Sequence, residues 1–205
     1  MSHCTKFKFQ YTSRKIICRT FQTLGLDWED GYVAEFSSTL TKKLGIFGEN
    51  ETPAIIAERD GFQYFMMNMG GHYELLMEKH NMTSIEQRQS REMATEFQQT
   101  YIQEVAKDVV KQMNNNGETA ILEQTTSGYE IRFGHTYDKS ILIKFDNGRV
   151  IEEVHGVKGE TCVSLTEALE NMLSSPDIEL QTEWTEEYYQ DPDNGLKIYD
   201  LNIGE

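Results

Sequence analysis

Four short glycine-containing turn motifs constrain the fold of this chain more than any other feature. They are Asp60-Gly61, Gly70-Gly71, Ser127-Gly128 and Asn147-Gly148, and each lies between two apolar runs. Such dipeptides join neighbouring antiparallel strands in β-hairpins. They predict a three-stranded antiparallel meander and, after a long helix, two further hairpins. The predicted strands span residues 54–58, 62–67, 73–77, 119–124, 129–133, 140–145 and 150–155.

A long amphipathic helix is predicted between the meander and the later hairpins. Apolar residues recur at four-residue spacing from Met93 to Met113, over roughly six helical turns. Thr83 and Glu86 have the spacing of a capping box at its start. Because the four-residue step drifts away from a strict heptad, we expect this helix to cover a sheet and not to form a coiled coil.

Two shorter helices and three further strands complete the predicted pattern. Ser13 is expected to cap a helix that ends near Gly25, and Ser164 with Glu167 to cap another that ends before Pro176. Alternating apolar residues predict a strand over 6–11. Residues 32–36 are a short strand candidate, the glycines and proline of residues 37–53 suggest a loop, and residues 178–184 are expected to form a last strand or an extended arm. Since hairpin follows hairpin, we predict an α+β fold. Its two small lobes would each be an antiparallel sheet covered by one main helix.

The net charge changes sharply along the chain. Residues 1–134 carry 14 basic and 18 acidic side chains, a net charge of −4, whereas residues 135–205 carry 5 and 16, a net charge of −11. The loop at 134–138 lies at this step. We therefore predict an α+β domain over 1–134 and an acidic ββα domain with a C-terminal arm over 135–205. The acidic segment repels nucleic-acid phosphates and anionic membranes and attracts cationic surfaces.

The composition indicates a folded protein of a reducing compartment. Hydrophobic residues make up 38% of the chain and aromatic residues 11%, which is more than a disordered acidic chain contains. No apolar run approaches the length of a bilayer span, and the first residues lack a signal-peptide pattern. Cys4, Cys18 and Cys162 are widely spaced and odd in number, which argues against a disulfide framework. We expect a cytoplasmic location.

The segment from His155 to Cys162 is the best candidate for a ligand-binding loop. Gly156 and Gly159 permit close backbone approach, and the start of the following helix favours an anion. A thiol there would have a lowered pKa and could pair with His155. The alternative is a structural strand-to-helix loop in which Cys162 fills a gap. We favour the alternative, because the sequence shows no oriented third group or oxyanion donor.

The sequence predicts no catalytic residue, no cofactor and no metal site. The five histidines are scattered, and no pair has the i, i+4 spacing of a helical zinc site. His3 and Cys4 could join a distant ligand pair, but an ordinary strand start is the simpler interpretation. The run from Asp191 to Gly195 lacks the ligand spacing of a calcium loop and is interpreted as a turn.

Two stretches resemble families of unknown function. The Met-Ser-His start, the Asp-Gly turn, Gly-Gly-His-Tyr-Glu-Leu and the strand pair after the long helix resemble the hypothetical chloroplast reading frame 35 family, or domain of unknown function 1257. Members of that family usually have Phe where this chain has Cys4. Residues 138–190 resemble the domain of unknown function 2997. The matching elements are a hairpin, a helix, and the positions Gly156, Gly159, Cys162, Thr185, Glu187, Tyr188 and Tyr189.

The resemblance implies a subunit or adaptor of a larger assembly. Bacterial members of these families tend to be encoded beside ferredoxin-like and AAA-type ATPase genes. It therefore implies an AAA-type ATPase or a ferredoxin-like protein as the partner, and it identifies no catalytic residues.

Charge and resemblance together predict a non-catalytic acidic adaptor that docks a basic protein surface through residues 135–205. One alternative is an inhibitor that imitates nucleic acid, which requires carboxylates in rows spaced like phosphates. The other is a thiol-dependent redox factor that uses Cys162. The rings of Trp184, Tyr188 and Tyr189 are expected to pack against the folded domain and so anchor the acidic tail to it. The candidate docking residues are Glu152, Glu153, Glu186, Glu187, Trp184, Tyr188 and Tyr189.

Overall fold

The computed structural model describes residues 3–32, 53–79, 82–146, 148–159, 161–186 and 188–189. Over these residues the protein is α+β, as predicted, with two antiparallel sheets of six and four strands and three helices. The elements are β1 (His3–Lys8), α1 (Arg14–Thr23), β2 (Trp28–Tyr32), β3 (Pro53–Arg59), β4 (Phe62–Asn68), β5 (Tyr73–Glu78), α2 (Ser84–Asn115), β6 (Ala120–Gln124), β7 (Gly128–Phe133), β8 (Lys139–Asp146), β9 (Arg149–His155), α3 (Thr161–Leu173) and β10 (Gln181–Trp184).

The chain divides into two compact units. The central unit is Ser13–Tyr101, and the terminal unit combines Met1–Thr12 with Ile102–Glu205, so the division falls within α2. The junction predicted at 134/135 lies between β7 and β8, which are paired strands of one sheet. The charge step therefore falls inside that sheet. Exposed charge can change from strand to strand without interrupting backbone pairing.

The central unit is a four-stranded sheet in the order β2-β3-β4-β5. Asp60 and Gly61 have φ values of 55° and 77°, the left-handed pair that a two-residue hairpin requires. Phe21 of α1 and Phe97 of α2 lie 6.1 and 6.3 Å from Tyr64 of β4, measured between ring centroids. Two helices thus pack on this sheet, and the expectation of one main helix per sheet was too simple.

The terminal unit is a six-stranded sheet in the order β10-β1-β9-β8-β7-β6. The hairpins β6–β7 and β8–β9 form as predicted. Strand β1 lies between β10 and β9 and is antiparallel to both. The N-terminal strand therefore completes a sheet whose other five strands all follow α2. This arrangement brings the side chains of β1 close to those of β9 and of α3, which lie about 150 or more positions later in the chain.

The ends of α1 have the capping that the sequence predicts. The Ser13 Oγ accepts a hydrogen bond from the Ile16 N–H at 3.4 Å, as an N-cap side chain does. At the other end Gly25 has a φ of +69°, and the Leu26 N–H donates to the Phe21 carbonyl at 2.9 Å. This is a Schellman motif, in which glycine tolerates the left-handed conformation.

A capping box fixes the start of α2. The Thr83 N–H donates to the Glu86 carboxylate at 2.9 Å, and the Glu86 N–H donates to the Thr83 hydroxyl at 3.3 Å. The Lys79 ammonium lies 2.9 Å from the same carboxylate. Hydrogen bonds from Lys79 and then from Thr83 lower the pKa of Glu86 to about 2. At the C-terminal end, the Asn114 side chain bonds the backbone of Ala120 at 2.8 and 3.0 Å.

Several predicted boundaries differ from the structure. Strand β1 is His3–Lys8 where the sequence predicted residues 6–11, and β2, Trp28–Tyr32, begins at residues for which no strand was predicted. Helix α3 begins at Thr161, so Ser164 is inside the helix and is not its cap. Residues 33–36, most of the predicted loop at 37–53 and the turn predicted at 191–195 lie outside the described residues.

In the ranges that the structure describes, none of the helices combines the length and apolar character needed to cross a membrane.

Candidate functional site

A buried cluster of three polar side chains lies in the terminal unit. It comprises His3 on β1, Glu152 on β9 and Glu170 on α3, and one nitrogen or oxygen of each lies within 4.8 Å of those of the other two. The His3 Nε2 is 3.8 Å from the Glu152 Oε1. The His3 side chain is 1% exposed and that of Glu152 is 0% exposed. Glu170 is half-buried, so this is an interior group with one side toward the surface.

Strand alternation explains how these residues meet. Glu152 lies directly opposite Thr5, and His3 lies opposite Val154. Residues opposite each other in an antiparallel pair point to the same face of the sheet, so His3, Thr5 and Glu152 share the face that carries Val154. Helix α3 adds Glu170 to this face. The cluster thus occupies positions where the strand pattern would otherwise place apolar side chains.

Three atoms of the cluster lack a hydrogen-bond partner within the described part of the chain. They are both carboxylate oxygens of Glu152 and the Nδ1 of His3. Buried polar groups are nearly always hydrogen-bonded, and leaving one unpaired costs about 1–3 kcal/mol. An unpaired carboxyl group at 0% exposure is therefore an unusual feature that requires an explanation.

Burial shifts the ionisation of all three groups away from the charged forms. Burial, and then the negative charge of Glu170, raise the pKa of Glu152 well above its ordinary value. Burial raises the pKa of Glu170 to about 7 and lowers that of His3 to about 4. Each shift has the sign that desolvation produces for an acid or a base. The Thr166 hydroxyl acts in the opposite direction on Glu152 and Glu170, but burial outweighs it in both.

A threonine hydroxyl supports the half-buried carboxylate. The Thr166 Oγ1 lies 3.4 Å from the Glu170 Oε1 and within 3.3 Å of the Cys162 and Val163 carbonyl oxygens. It is one helical turn before Glu170, so it orients this side chain from within α3. Thr166 itself is buried.

Gly156, the first glycine of the loop after β9, is required by the packing of the protein's own backbone. Gly156 has a φ of +72°, and a Cβ atom there would lie 2.6 Å from the Asp138 carbonyl oxygen. The backbone of Asp138 therefore already occupies the space that a side chain would need. Gly159 also has a positive φ, of 62°. The close approach predicted for a ligand is made here by the protein's own chain.

Cys162 is a buried thiol that donates to the Gly159 carbonyl oxygen at 3.0 Å. Burial raises its pKa to about 11, so the expectation of a lowered pKa was wrong. His155 follows Val154 and points to the opposite face of the sheet from Glu152, where its Nε2 lies 3.8 Å from the Glu153 carboxylate. The structure does not bring His155 and Cys162 together as a catalytic pair.

An exposed row of aromatic rings follows β10. The ring centroid of Tyr188 lies 4.2 Å from that of Trp184 and 5.3 Å from that of Tyr189. Trp184 is 41% exposed and Tyr189 is 76% exposed, so the predicted inward anchoring was wrong for Tyr189. Trp184 also contacts the His3 ring at 5.4 Å. The row therefore extends from the edge of the buried cluster into solvent.

The predicted acidic docking residues are placed in three different environments. Glu186 is exposed beside the rings. Glu153 is half-buried on the outer face of the sheet and bonds the Lys144 ammonium at 2.8 Å. Glu152 is interior and cannot contact a partner, because β9 alternates and turns it toward the core. Glu187 lies outside the described residues.

The outer face of the six-stranded sheet carries mixed charges. Arg132 lies 3.3 Å from the Glu123 carboxylate and 3.2 Å from that of Glu130, and Lys144 pairs with Glu153. The carboxylates on this face thus alternate with cations.

Sequence reasoning did not find the buried cluster, although one signal was present. Val150, Glu152 and Val154 alternate along β9, so a carboxylate occupies a core position of a half-buried strand. A charged residue at such a position is either paired or functional. Its neighbours were not predictable, because the β1–β9 pairing and the packing of α3 join residues about 20 to 150 positions apart.

A family model described as a protein of unknown function, DUF2997, matches residues 142–189. The match covers most of β8 and all of β9, α3 and β10; it includes Glu152 and Glu170 but not His3. No curated protein and no solved structure matches the chain. The resemblance of the N-terminal part to the reading frame 35 family finds no support in these comparisons. Residues 142–189 of this chain are a DUF2997 domain.

Proposed function

We propose that this protein is a non-catalytic acidic adaptor that docks a basic segment of a partner protein on the aromatic row. The docking surface is formed by Trp184, Tyr188, Tyr189 and Glu186. The observation that carries the proposal is a set of three adjoining rings in which Trp184 is 41% exposed and Tyr189 76% exposed. These rings lie within the segment that carries a net charge of −11.

The chemistry of the row favours a cationic partner. Tryptophan and tyrosine dominate the energetics of protein interfaces, and exposed aromatic clusters mark interaction sites. Their faces attract Arg and Lys side chains within about 6 Å, and a neighbouring carboxylate strengthens that attraction. Glu186 is exposed beside Tyr188 and Tyr189 and provides this charge. Glu152 and Glu153 are not part of the surface, because one is buried and the other is paired with Lys144.

The partner is proposed to be an AAA-type ATPase or a ferredoxin-like protein. This step rests on the two family resemblances of the sequence, of which the comparisons support the one to DUF2997 over residues 142–189. The acidic character of the segment argues against direct nucleic-acid or membrane binding.

The test measures binding of purified candidate partners, and of an arginine- and lysine-rich peptide taken from each, at low and high salt. Tyr189→Ala removes a ring that is mostly exposed, so the fold is expected to be unaffected. As a hot-spot residue it should weaken binding by about thirty-fold, since such residues contribute about 2 kcal/mol or more. The double charge reversal Glu186→Lys with Glu187→Lys should also weaken binding. Its loss of affinity should be larger at low salt than at high salt, because salt screens the interaction.

A matched charge reversal in the central unit is the control. Glu29→Lys with Glu58→Lys changes the net charge by the same amount at two exposed positions. This variant should bind like the wild type. Equal losses from both charge reversals, together with no effect of Tyr189→Ala, would show that binding depends on net charge alone and would refute the proposed surface.

The two alternative functions receive less support. A nucleic-acid mimic requires uninterrupted rows of carboxylates, whereas Arg132 and Lys144 interrupt those on the outer face. A thiol-dependent factor requires an accessible thiolate, whereas Cys162 is buried with its pKa raised to about 11.

A further inference from the structure

We propose that His3, Glu152 and Glu170 form a binding site for one first-row divalent metal ion. The site shares no residue with the docking surface, although Trp184 of that surface contacts the His3 ring, and the proposal does not depend on the adaptor function. It joins two carboxylates of the DUF2997 domain to a histidine of the N-terminal strand.

The spacing of the three side chains suits a single ion. Ligand atoms that lie about 2.0–2.2 Å from one metal are about 3–4 Å from each other. The His3 Nε2 and Glu152 Oε1 are 3.8 Å apart, and all three ligand atoms lie within 4.8 Å of one another. The 4.8 Å limit is wider than this spacing, so Glu170, whose half-buried side chain is the least confined of the three, would rotate to complete the geometry.

The unpaired atoms provide the second, independent observation. Glu152 is 0% exposed, and within the described residues neither of its oxygens accepts a well-formed hydrogen bond. The nearby Thr166 hydroxyl lowers the pKa of Glu152, but it already donates to the Cys162 and Val163 carbonyl oxygens. Purely structural buried carboxyl groups are normally hydrogen-bonded or ion-paired. A divalent cation would supply the missing partner, and the two carboxylates would balance its charge.

The donor set indicates the class of metal. An imidazole nitrogen suits Zn²⁺, Fe²⁺, Ni²⁺ and Cu²⁺, whereas carboxylate oxygens alone would suit Mg²⁺ or Ca²⁺. The combination of one histidine and two glutamates therefore favours a transition-metal ion. Thr166 contacts Glu170 at 3.4 Å, which is the kind of outer contact that orients a metal ligand. The half-buried side of Glu170 provides a path for entry.

The test uses the full chain without a histidine tag, stripped of metal by a chelator and equilibrated with Zn²⁺ or Mn²⁺. Elemental analysis should find one ion per chain. Trp184 fluorescence should change on binding, since this ring lies 5.4 Å from the His3 ring. Glu152→Gln and Glu170→Gln should each lower the affinity at least about a hundred-fold. Thr166→Val should lower it about 10- to 100-fold, as loss of an outer-shell partner does.

Matched controls separate a metal site from general acidity. Glu153→Gln changes the neighbouring carboxylate on the opposite face of β9, and Glu167→Gln changes an exposed carboxylate on α3. Glu153→Gln should bind like the wild type, and Glu167→Gln, whose charge acts on Glu170 from one helical turn away, should change the affinity far less than Glu170→Gln does. Circular dichroism checks the fold of each variant, and Glu170→Gln decides the test if Glu152→Gln fails to fold.

Two results would overturn the proposal. One is a wild-type chain that retains no stoichiometric Zn²⁺ or Mn²⁺. The other is unchanged affinity in a folded Glu170→Gln variant. Neither result affects the docking test, which uses other residues.

Discussion

Replacing Glu152 by methionine should stabilise the metal-free protein. Glu152 is 0% exposed, and both of its oxygens lack a hydrogen bond from the described residues. It shares its face of the sheet with Val154 and lies across from Ile143 on β8. A methionine side chain has a similar length, has no polar atom to desolvate, and adapts to irregular spaces.

The size of the expected stability change follows from the burial of residue 152 and from its missing hydrogen bonds. Relief of an unpaired buried polar group is worth about 1–3 kcal/mol, and additional apolar burial adds about 1 kcal/mol. Imperfect packing of the new side chain subtracts up to about 1.5 kcal/mol. We therefore expect the free energy of unfolding of the terminal unit to rise by about 0.5–4 kcal/mol. At about 2–4 °C per kcal/mol this raises the Tm by roughly 1–16 °C.

Denaturant unfolding in the presence of a chelator measures this effect. The chain contains two tryptophans, Trp28 in the central unit and Trp184 in the terminal unit. A Trp28→Phe background makes the fluorescence report on Trp184 alone, so unfolding of the terminal unit is followed separately. The matched control is Glu153→Met, which breaks the pair with Lys144 and should change stability by about −1 to 0 kcal/mol.

The reasoning is refuted if Glu152→Met destabilises the metal-free terminal unit by as much as Glu153→Met or more. That result would mean that Glu152 makes a favourable interaction in the protein alone.

Three further predictions concern other parts of the fold. Gly156→Ala should lower the free energy of unfolding by about 1–3 kcal/mol, because φ is positive and the new Cβ would meet the Asp138 carbonyl oxygen. Gly148 also has a positive φ but has open space around it, so Gly148→Ala should lower the free energy of unfolding by less in the same denaturation experiment. The hydrogen bonds that lower the pKa of Glu86 to about 2 stabilise the ionised form, so this contribution is present above about pH 4.5 and is lost as the pH falls toward 2. The stability difference between wild type and Glu86→Gln should shrink over that range, and a constant difference would contradict the assignment. Burial of Cys162, with its pKa raised to about 11, should make alkylation near neutral pH much slower in the folded than in the unfolded protein; equal rates would show an accessible thiol.

Local signals in the sequence predicted the local structure well. Asp60-Gly61 predicted the hairpin between β3 and β4, Ser13 predicted the start of α1, and Thr83 with Glu86 predicted the start of α2. Each of these features depends on interactions within about four residues. The same kind of signal failed at Ser164, because the helix had already begun three residues earlier at Thr161.

The sequence alone did not predict which strands pair when they lie far apart along the chain. Nothing near His3 indicates that β1 lies between β10 and β9, and that pairing is what places His3 beside Glu152. The charge step suggested a division at 134/135, but exposed side chains determine net charge whereas backbone pairing determines the sheet. Glu152 was assigned to the surface for the same reason: composition counts a carboxylate without showing which face of the strand it occupies.

Site-specific photo-crosslinking from position 189 tests the docking surface most directly. A photoreactive amino acid replaces Tyr189, which is 76% exposed, in cells that naturally express the protein, and Glu58 in the central unit is replaced in the control. The account predicts one dominant crosslinked protein from position 189, attached through a basic segment and lost in the Glu186→Lys, Glu187→Lys background. No crosslinked product from position 189, or the same products from both positions, would contradict it.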